Sequence, residues 1–205
     1  MGRVTGTLIH NSPLRRALCA SAVAIILWLS GWTLSYLFVT EGVLRQVMTA
    51  RVPDEALRSA PSLALTIFQW NVLFGVGSIV AGSLFAFGRI SLGYLAPWWW
   101  ALGYGVALGT NSFVLTVPGK IPPSLDIVWQ HIGARELLAY LLVAAALAHI
   151  HMWRPRRWND LNLSRVRTVS QIRLRASELA CITAALVLLA WTASTEAAGV
   201  IAFLK

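Results

Sequence analysis

The chain has 205 residues, of which 57% are hydrophobic and 12% are charged, and its mean hydropathy is +0.66. These values exclude an ordinary water-soluble domain, whose helices need a solvated polar face. The net charge of +9 does not indicate nucleic-acid binding, because the arginines lie where membrane topology would place them and attraction to acidic phospholipids accounts for them. The composition therefore predicts a protein that lies within a membrane.

Apolar segments in chain order predict an all-α integral membrane protein, a single domain built as a bundle of about five transmembrane helices. Arg15 and Arg16 precede the first segment, which is too long for the apolar core of a signal peptide and has no small-residue cleavage site after it. We therefore expect it to be retained. The predicted spans cover residues of about 17–40, 62–87, 97–117, 134–153 and 177–203.

The distribution of arginine predicts the orientation of these spans. The connecting segment 154–176 carries seven arginines and one acid, and Arg15, Arg16 and Arg89 fall on the same face of a five-span arrangement. Arginine-rich loops stay in the cytoplasm, so we expect the N-terminus inside and the C-terminus outside. Cys19 and Cys181 then face a reducing compartment, and no disulfide is expected.

The basic segment 154–176 has two interpretations that the sequence leaves open. Its mixture of arginine with leucine, valine and isoleucine fits an amphipathic helix against the inner leaflet, and it fits a docking site for a cytosolic partner equally well. The arginines that would bind lipid or partner are Arg154, Arg156, Arg157, Arg165, Arg167, Arg173 and Arg175.

Small residues spaced four apart mark the second and third predicted spans. Such pairs let two helix backbones approach closely, which holds helices together where the hydrophobic effect is absent. They predict packing within the chain or self-association. The residues concerned are Ser78, Gly82, Ala101, Gly105 and Gly109.

Several polar residues fall at similar depth in the outer half of the predicted spans, and we expect them to form a polar pocket there. Polar groups inside a membrane cost free energy and therefore point to function. Glu196 is the sharpest case, since it places an ionisable group inside an apolar span. The candidates are Gln69, Asn71, Asn111, His131, Glu136 and Glu196.

The motifs of common catalytic sites are missing from the sequence, which contains no HExxH, GxSxG or Walker A pattern. We therefore expect a non-enzymatic protein without cofactor or metal. One enzymatic alternative stays open, in which His131, Glu136 and Glu196 act as acid, base or metal ligands of an intramembrane hydrolase or peptide cyclase.

The order of these features resembles the stage II sporulation protein M family. The early asparagine pair and small residues of that family are similar to the stretch Gln69-Trp70-Asn71 with the glycines after it, although only Asn71 of the pair is present. Its His-Gly-x-x-Glu motif resembles residues 131–136, with one extra residue between His131 and Gly133. Its embedded glutamate near the chain end is similar to Glu196 in an alanine-rich segment.

This resemblance implies a multi-pass protein of the bacterial cytoplasmic membrane that serves as a scaffold or permease-like subunit of a multi-protein complex. The partners implied are membrane lipids and further copies of the chain, or an ABC-type ATPase or cell-envelope hydrolase. A second hypothesis is a transport or immunity protein whose outer polar pocket contacts a peptide or lipid headgroup.

Overall fold

The structure is a computed structural model that describes residues 6–8, 10–45, 59–112, 119–130, 132–155 and 162–203. The chain is mostly helical (72%). Its helices are α1 Pro13–Phe38, α2 Ala60–Trp70, α3 Gly77–Ser83, α4 Leu95–Gly109, α5 Leu125–Gln130, α6 Ile132–Leu147 and α7 Ala176–Phe203. A π-helical segment, Asn71–Val76, joins α2 to α3 without a break, so that Ala60–Ser83 forms one rod.

Three of these rods are long and apolar enough to cross a membrane, namely Pro13–Phe38, Ala60–Ser83 and Ala176–Ala202. This agrees with a helical membrane protein. Helices α4 and α6 have 15 and 16 residues, and at 1.5 Å per residue they extend about 22–24 Å, less than the roughly 30 Å of the hydrocarbon core.

Helices α4 and α6 end before the C-terminal bounds of about 117 and 153 that were predicted for the third and fourth spans. Helix α4 ends at Gly109 because Asn111 adopts a left-handed backbone (φ 48°), a conformation that stops a helix. Helix α6 ends at Leu147, and the chain then turns into a β-strand at Trp153. The second predicted span also ends early, at Ser83, because Gly88 (φ 61°) forms a hairpin turn within residues 84–91.

The long rods alternate in direction. Helices α1 and α4 are parallel, because Trp98 Nε1 donates to Ala20 O at 3.1 Å near their starts and Gly42 N donates to Thr110 O at 2.6 Å beyond their ends. The start of α2 packs against the end of α7 through Leu63 and Ala197. Helices α6 and α7 are antiparallel, with the residues just after α6 beside the start of α7.

Two short antiparallel β-hairpins lie together at one end of the bundle. Strands β1 (Ala86–Phe87) and β2 (Ile90–Ser91) form the first, and β3 (Trp153–Pro155) and β4 (Leu163–Arg165) form the second. Met152 N donates to Leu84 O at 2.7 Å and joins them. We call this the arginine end; it consists of residues 10–16, 84–98, 148–155 and 162–178.

The amphipathic-helix interpretation of segment 154–176 is wrong in its described part. Residues 163–165 form β4, and Val169–Gln171 form a single 3-10 turn. Leu163 pairs with Pro155 and Ser164 with Arg154 across the two strands, so backbone pairing and not a helix holds this part of the segment. The connection before α6 contains the short helix α5, and residues 46–58 of the connection before α2 lie outside the described residues.

Candidate functional site

A carboxylate from α6 is held by side chains from two other rods. Asn71 Nδ2 donates to Glu136 Oε1 at 2.7 Å, and Tyr104 OH donates to Glu136 Oε2 at 3.0 Å. Glu136 is buried, so both of its carboxylate oxygens receive a hydrogen bond where water is scarce. Asn71, Tyr104 and Glu136 form what we call the Glu136 cluster.

The π-helical segment helps to position Asn71. Asn71 is its first residue, and such wide turns inside an α-helix occur frequently at functional sites. Within the same segment, Gly75 packs against the ring of Tyr140, where an added Cβ would lie 2.5 Å from Cε1. The absence of a side chain at Gly75 thus lets this rod approach α6 closely enough for Asn71 to reach Glu136.

Glu196 of α7 joins this region without a hydrogen bond. It is half-buried, and its carboxylate is near enough to that of Glu136 for the two negative charges to repel each other. Among the described residues it has no hydrogen-bond or ion-pair partner. Two carboxylates that repel each other in a poorly solvated place are stabilised by a shared proton or by a bound cation.

The predicted polar pocket is therefore only partly formed. Asn71 and Glu136 are in direct contact and Glu196 is within electrostatic reach of Glu136, but Gln69 is exposed on the outside of the bundle, since two residues along a helix turn the side chain to a different face. His131 lies outside the described residues.

Asn111 belongs to a separate network at the end of the bundle opposite the arginine end. Its Nδ2 donates to Glu41 Oε1 at 2.8 Å, and Arg45 donates to its backbone oxygen at 3.3 Å. Ser112 Oγ accepts from Leu44 N at 3.1 Å. These contacts tie the residues that follow α1 to the end of α4, so the prediction that Asn111 lines the same pocket as Glu136 is wrong.

The small-residue stripe of α4 packs inside the chain. Ala101 is fully buried, and a Cβ on Gly105 or Gly109 would overlap backbone or side-chain atoms of Trp28, Trp32 or Ser35 of α1. Among the described residues, the face of α4 that carries this stripe is therefore in contact with α1.

The other predicted small-residue pair is only half correct. Gly82 meets the backbone of the turn at Leu92, where an added Cβ would lie 3.0 Å from the carbonyl oxygen. Ser78 is exposed and donates to Gly75 O at 2.8 Å within its own rod. The prediction that Ser78 supports a close helix–helix contact is therefore wrong.

The arginine end contains a buried ion pair that the sequence analysis missed. Arg16 lies 3.0 Å from Glu178 Oε1, and Arg175 N donates to Glu178 Oε2 at 2.8 Å. His149 Nδ1 also lies 3.2 Å from Oε1, as an ion-pair contact without hydrogen-bond geometry. The sequence did contain a signal for this pair. Arg16 and Glu178 carry opposite charges at the starts of the first and fifth predicted spans, and both spans were predicted to start on the same side of the membrane.

The arginines predicted for docking differ in their exposure. Arg154, Arg165, Arg173 and Arg175 are exposed, whereas Arg167 is half-buried and donates to His149 O at 2.6 Å. Arg156 and Arg157 lie outside the described residues. The exposed members leave a positively charged surface at the arginine end.

Across the part of the chain that the structure describes, no group of three His, Cys, Asp or Glu side chains is placed to share a metal ion. Comparison of the chain with protein-family models, with curated proteins and with solved structures finds no match.

Proposed function

We propose that this chain is a permease-like, non-enzymatic subunit of a multi-protein complex in the bacterial cytoplasmic membrane. The observation that carries the proposal is the Glu136 cluster, in which Asn71 and Tyr104 hold one carboxylate while Glu196 supplies a second one nearby. An ionisable group within a membrane is costly, and it is found where ions, protons or substrates bind.

The proposal includes five spans, with the N-terminus inside and the C-terminus outside. It is supported by the three long apolar rods and by the alternating direction of all five long segments. The exposed arginines gather at one end of the bundle, which the positive-inside rule would assign to the cytoplasm. The shorter α4 and α6 cross most of the bilayer inside this bundle, and both are well buried in the middle of their length.

Two carboxylates without a basic partner favour a cationic ligand. Among the described residues, no arginine or lysine pairs with either Glu136 or Glu196. Arg135, the neighbour of Glu136, instead lies 4.8 Å from the ring of Trp191. A proton, or the ammonium group of an amphipathic peptide or lipid, would neutralise the two negative charges. We propose such a group as the ligand.

Membership of the stage II sporulation protein M family is part of this proposal. Its support is that residues similar to separate family motifs, Asn71 and Glu136, are in direct contact, with Glu196 close to them. The proposed partners are an ABC-type ATPase or a cell-envelope hydrolase, together with membrane lipids. Any homo-oligomer would use surfaces other than Gly105 and Gly109, which α1 covers.

The first experiment is purification of the full chain from its native membranes in mild detergent, followed by sizing and mass spectrometry of the co-purifying chains. Recovery of a nucleotide-binding subunit would support the permease-like function. Recovery of an envelope hydrolase would keep the multi-protein complex but make the chain a scaffold rather than a permease-like subunit, and recovery only of further copies of the chain would contradict both proposed partners.

A second experiment tests the Glu136 cluster itself. The ATPase activity of the recovered complex is measured for Glu136→Gln and Glu196→Gln, with Gln69→Ala as an exposed control two residues from Asn71. We expect both carboxylate variants to uncouple or abolish the activity and Gln69→Ala to preserve it. Normal activity in both carboxylate variants would contradict a role for this cluster.

A further inference from the structure

A groove with a volume of about 400 Å³ lies at the arginine end, between the two β-hairpins. Its lining residues are Gly88, Arg89, Arg154, Pro155, Ser164 and Val166. We propose that this groove binds the phosphate group of an anionic phospholipid. The site is separate from the Glu136 cluster and is independent of the function proposed for it.

The groove exists because the hairpins are fixed to one another. Met152 N and Trp153 N both donate to Leu84 O, at 2.7 and 3.0 Å. Gly88, with φ at 61°, allows the tight turn that puts Arg89 at the tip of the first hairpin. Ser164 Oγ donates to Arg154 O at 3.0 Å and secures the neighbouring strand. Two distant parts of the sequence thereby present guanidinium groups to one space.

Within the described part of the chain, the guanidinium groups of these two arginines have no competing partner and can bind an anion. Neither the Arg89 nor the Arg154 side chain has a hydrogen-bond or ion-pair partner among the described residues, and none of the described residues that line the groove is acidic. Other arginines at this end are engaged, since Arg16 pairs with Glu178 and Arg167 donates to a backbone carbonyl. A pair of guanidinium groups matches a phosphate, which accepts two parallel hydrogen bonds from each.

The surroundings of the groove favour a lipid as the source of that phosphate. Phe87 and Leu163, each the chain neighbour of a lining residue, are about half exposed. The hairpins also follow directly from the ends of the apolar rods α3 and α6. A headgroup phosphate in the groove would therefore place its acyl chains along apolar helix surfaces, whereas a free phosphate would gain nothing from them.

The test is native mass spectrometry of the full chain in mild detergent, titrated with phosphatidylglycerol, with phosphatidylcholine and with inorganic phosphate. We expect phosphatidylglycerol to bind and phosphatidylcholine to bind at least about tenfold more weakly. In the double variant R89Q/R154Q, affinity for phosphatidylglycerol should fall about tenfold, as the loss of charge-assisted contacts predicts.

The matched control is R173Q/R175Q, which also removes two exposed arginines from the arginine end but leaves the groove intact. It should change the affinity by less than about twofold, since general attraction to anionic lipid is distributed over the surface. Equal losses in the two double variants, or equal binding of the two lipids, would overturn the proposal. Displacement of the lipid by inorganic phosphate at similar concentration would assign the groove to free phosphate instead. If R89Q/R154Q does not fold, R89Q alone must show the loss.

Discussion

The Arg16 guanidinium and the Glu178 carboxylate lie 3.0 Å apart although 162 residues separate them in the sequence. Their side chains are 4% and 1% exposed. The pair joins the first turns of α1 and α7, and the second carboxylate oxygen of Glu178 caps the start of α7 through Arg175 N. Because both helices start at the arginine end, this contact fixes the first and last long rods in a parallel arrangement.

Removing one partner of this ion pair should be costly. Arg16→Met leaves Glu178 buried without its guanidinium, and breaking a buried pair in this way costs about 3–5 kcal/mol. We expect a large fall in the free energy of unfolding, measured by denaturant titration in detergent. The double variant R16M/E178L removes both charges and should recover much of the loss, so a double variant as unstable as Arg16→Met would contradict this interpretation.

Gly105 and Gly103 provide a comparison on one helix. A Cβ at Gly105 would overlap the carbonyl oxygen of Trp28, whereas a Cβ at Gly103 would meet nothing within 4 Å. Gly105→Ala should therefore force α1 and α4 apart and destabilise the protein by about 1–3 kcal/mol. Gly103→Ala should be neutral or stabilising, because alanine is the better helix former. Thermal unfolding in detergent measures both, and equal stabilities would show that the two helices do not pack as described.

Asn71 and Gln69 provide the corresponding comparison for the Glu136 cluster. Asn71→Ala removes the donor 2.7 Å from Glu136 Oε1 and leaves a buried acceptor unsatisfied, which costs about 1–3 kcal/mol. Gln69→Ala changes an exposed side chain, and its effect should stay within about 0.5 kcal/mol. The free energy of unfolding, measured in parallel for both variants, checks this. A larger loss of stability from Gln69→Ala than from Asn71→Ala would mean that the rod Ala60–Ser83 turns a different face to the bundle.

The orientation of the chain can be tested with single cysteines. In a background in which Cys19→Ser and Cys181→Ala remove the native thiols, Leu125→Cys and Leu163→Cys lie near opposite ends of the bundle, and both positions are exposed. An impermeant maleimide should label Leu125→Cys in intact cells and Leu163→Cys only after permeabilisation. The reverse labelling pattern would show that the chain has the opposite orientation. Labelling of both cysteines in intact cells would contradict the proposal that the bundle spans the membrane between them.

The sequence alone was sufficient for the helical membrane class, because apolar segments and the absence of charge are local properties that the bilayer requires of each span. It also identified Glu136, Asn71 and Glu196, since a polar group in an apolar run stands out without any knowledge of its neighbours. The packing of Gly105 and Gly109 likewise followed from spacing along one helix.

Only the tertiary structure decided which polar residues meet. Depth along a span placed Asn111 and Gln69 beside Glu136, but α4 ends before Asn111, which bonds Glu41 at the end of the bundle, and the rotation of the second rod about its axis left Gln69 exposed. Likewise, the Arg16–Glu178 pair and the groove between Arg89 and Arg154 depend on distant segments coming together. The physical reason is that amino-acid composition and the spacing of apolar residues determine what one segment forms by itself. The rotation of each helix about its axis, and the pairing of residues far apart in the sequence, are set by how the helices pack against one another.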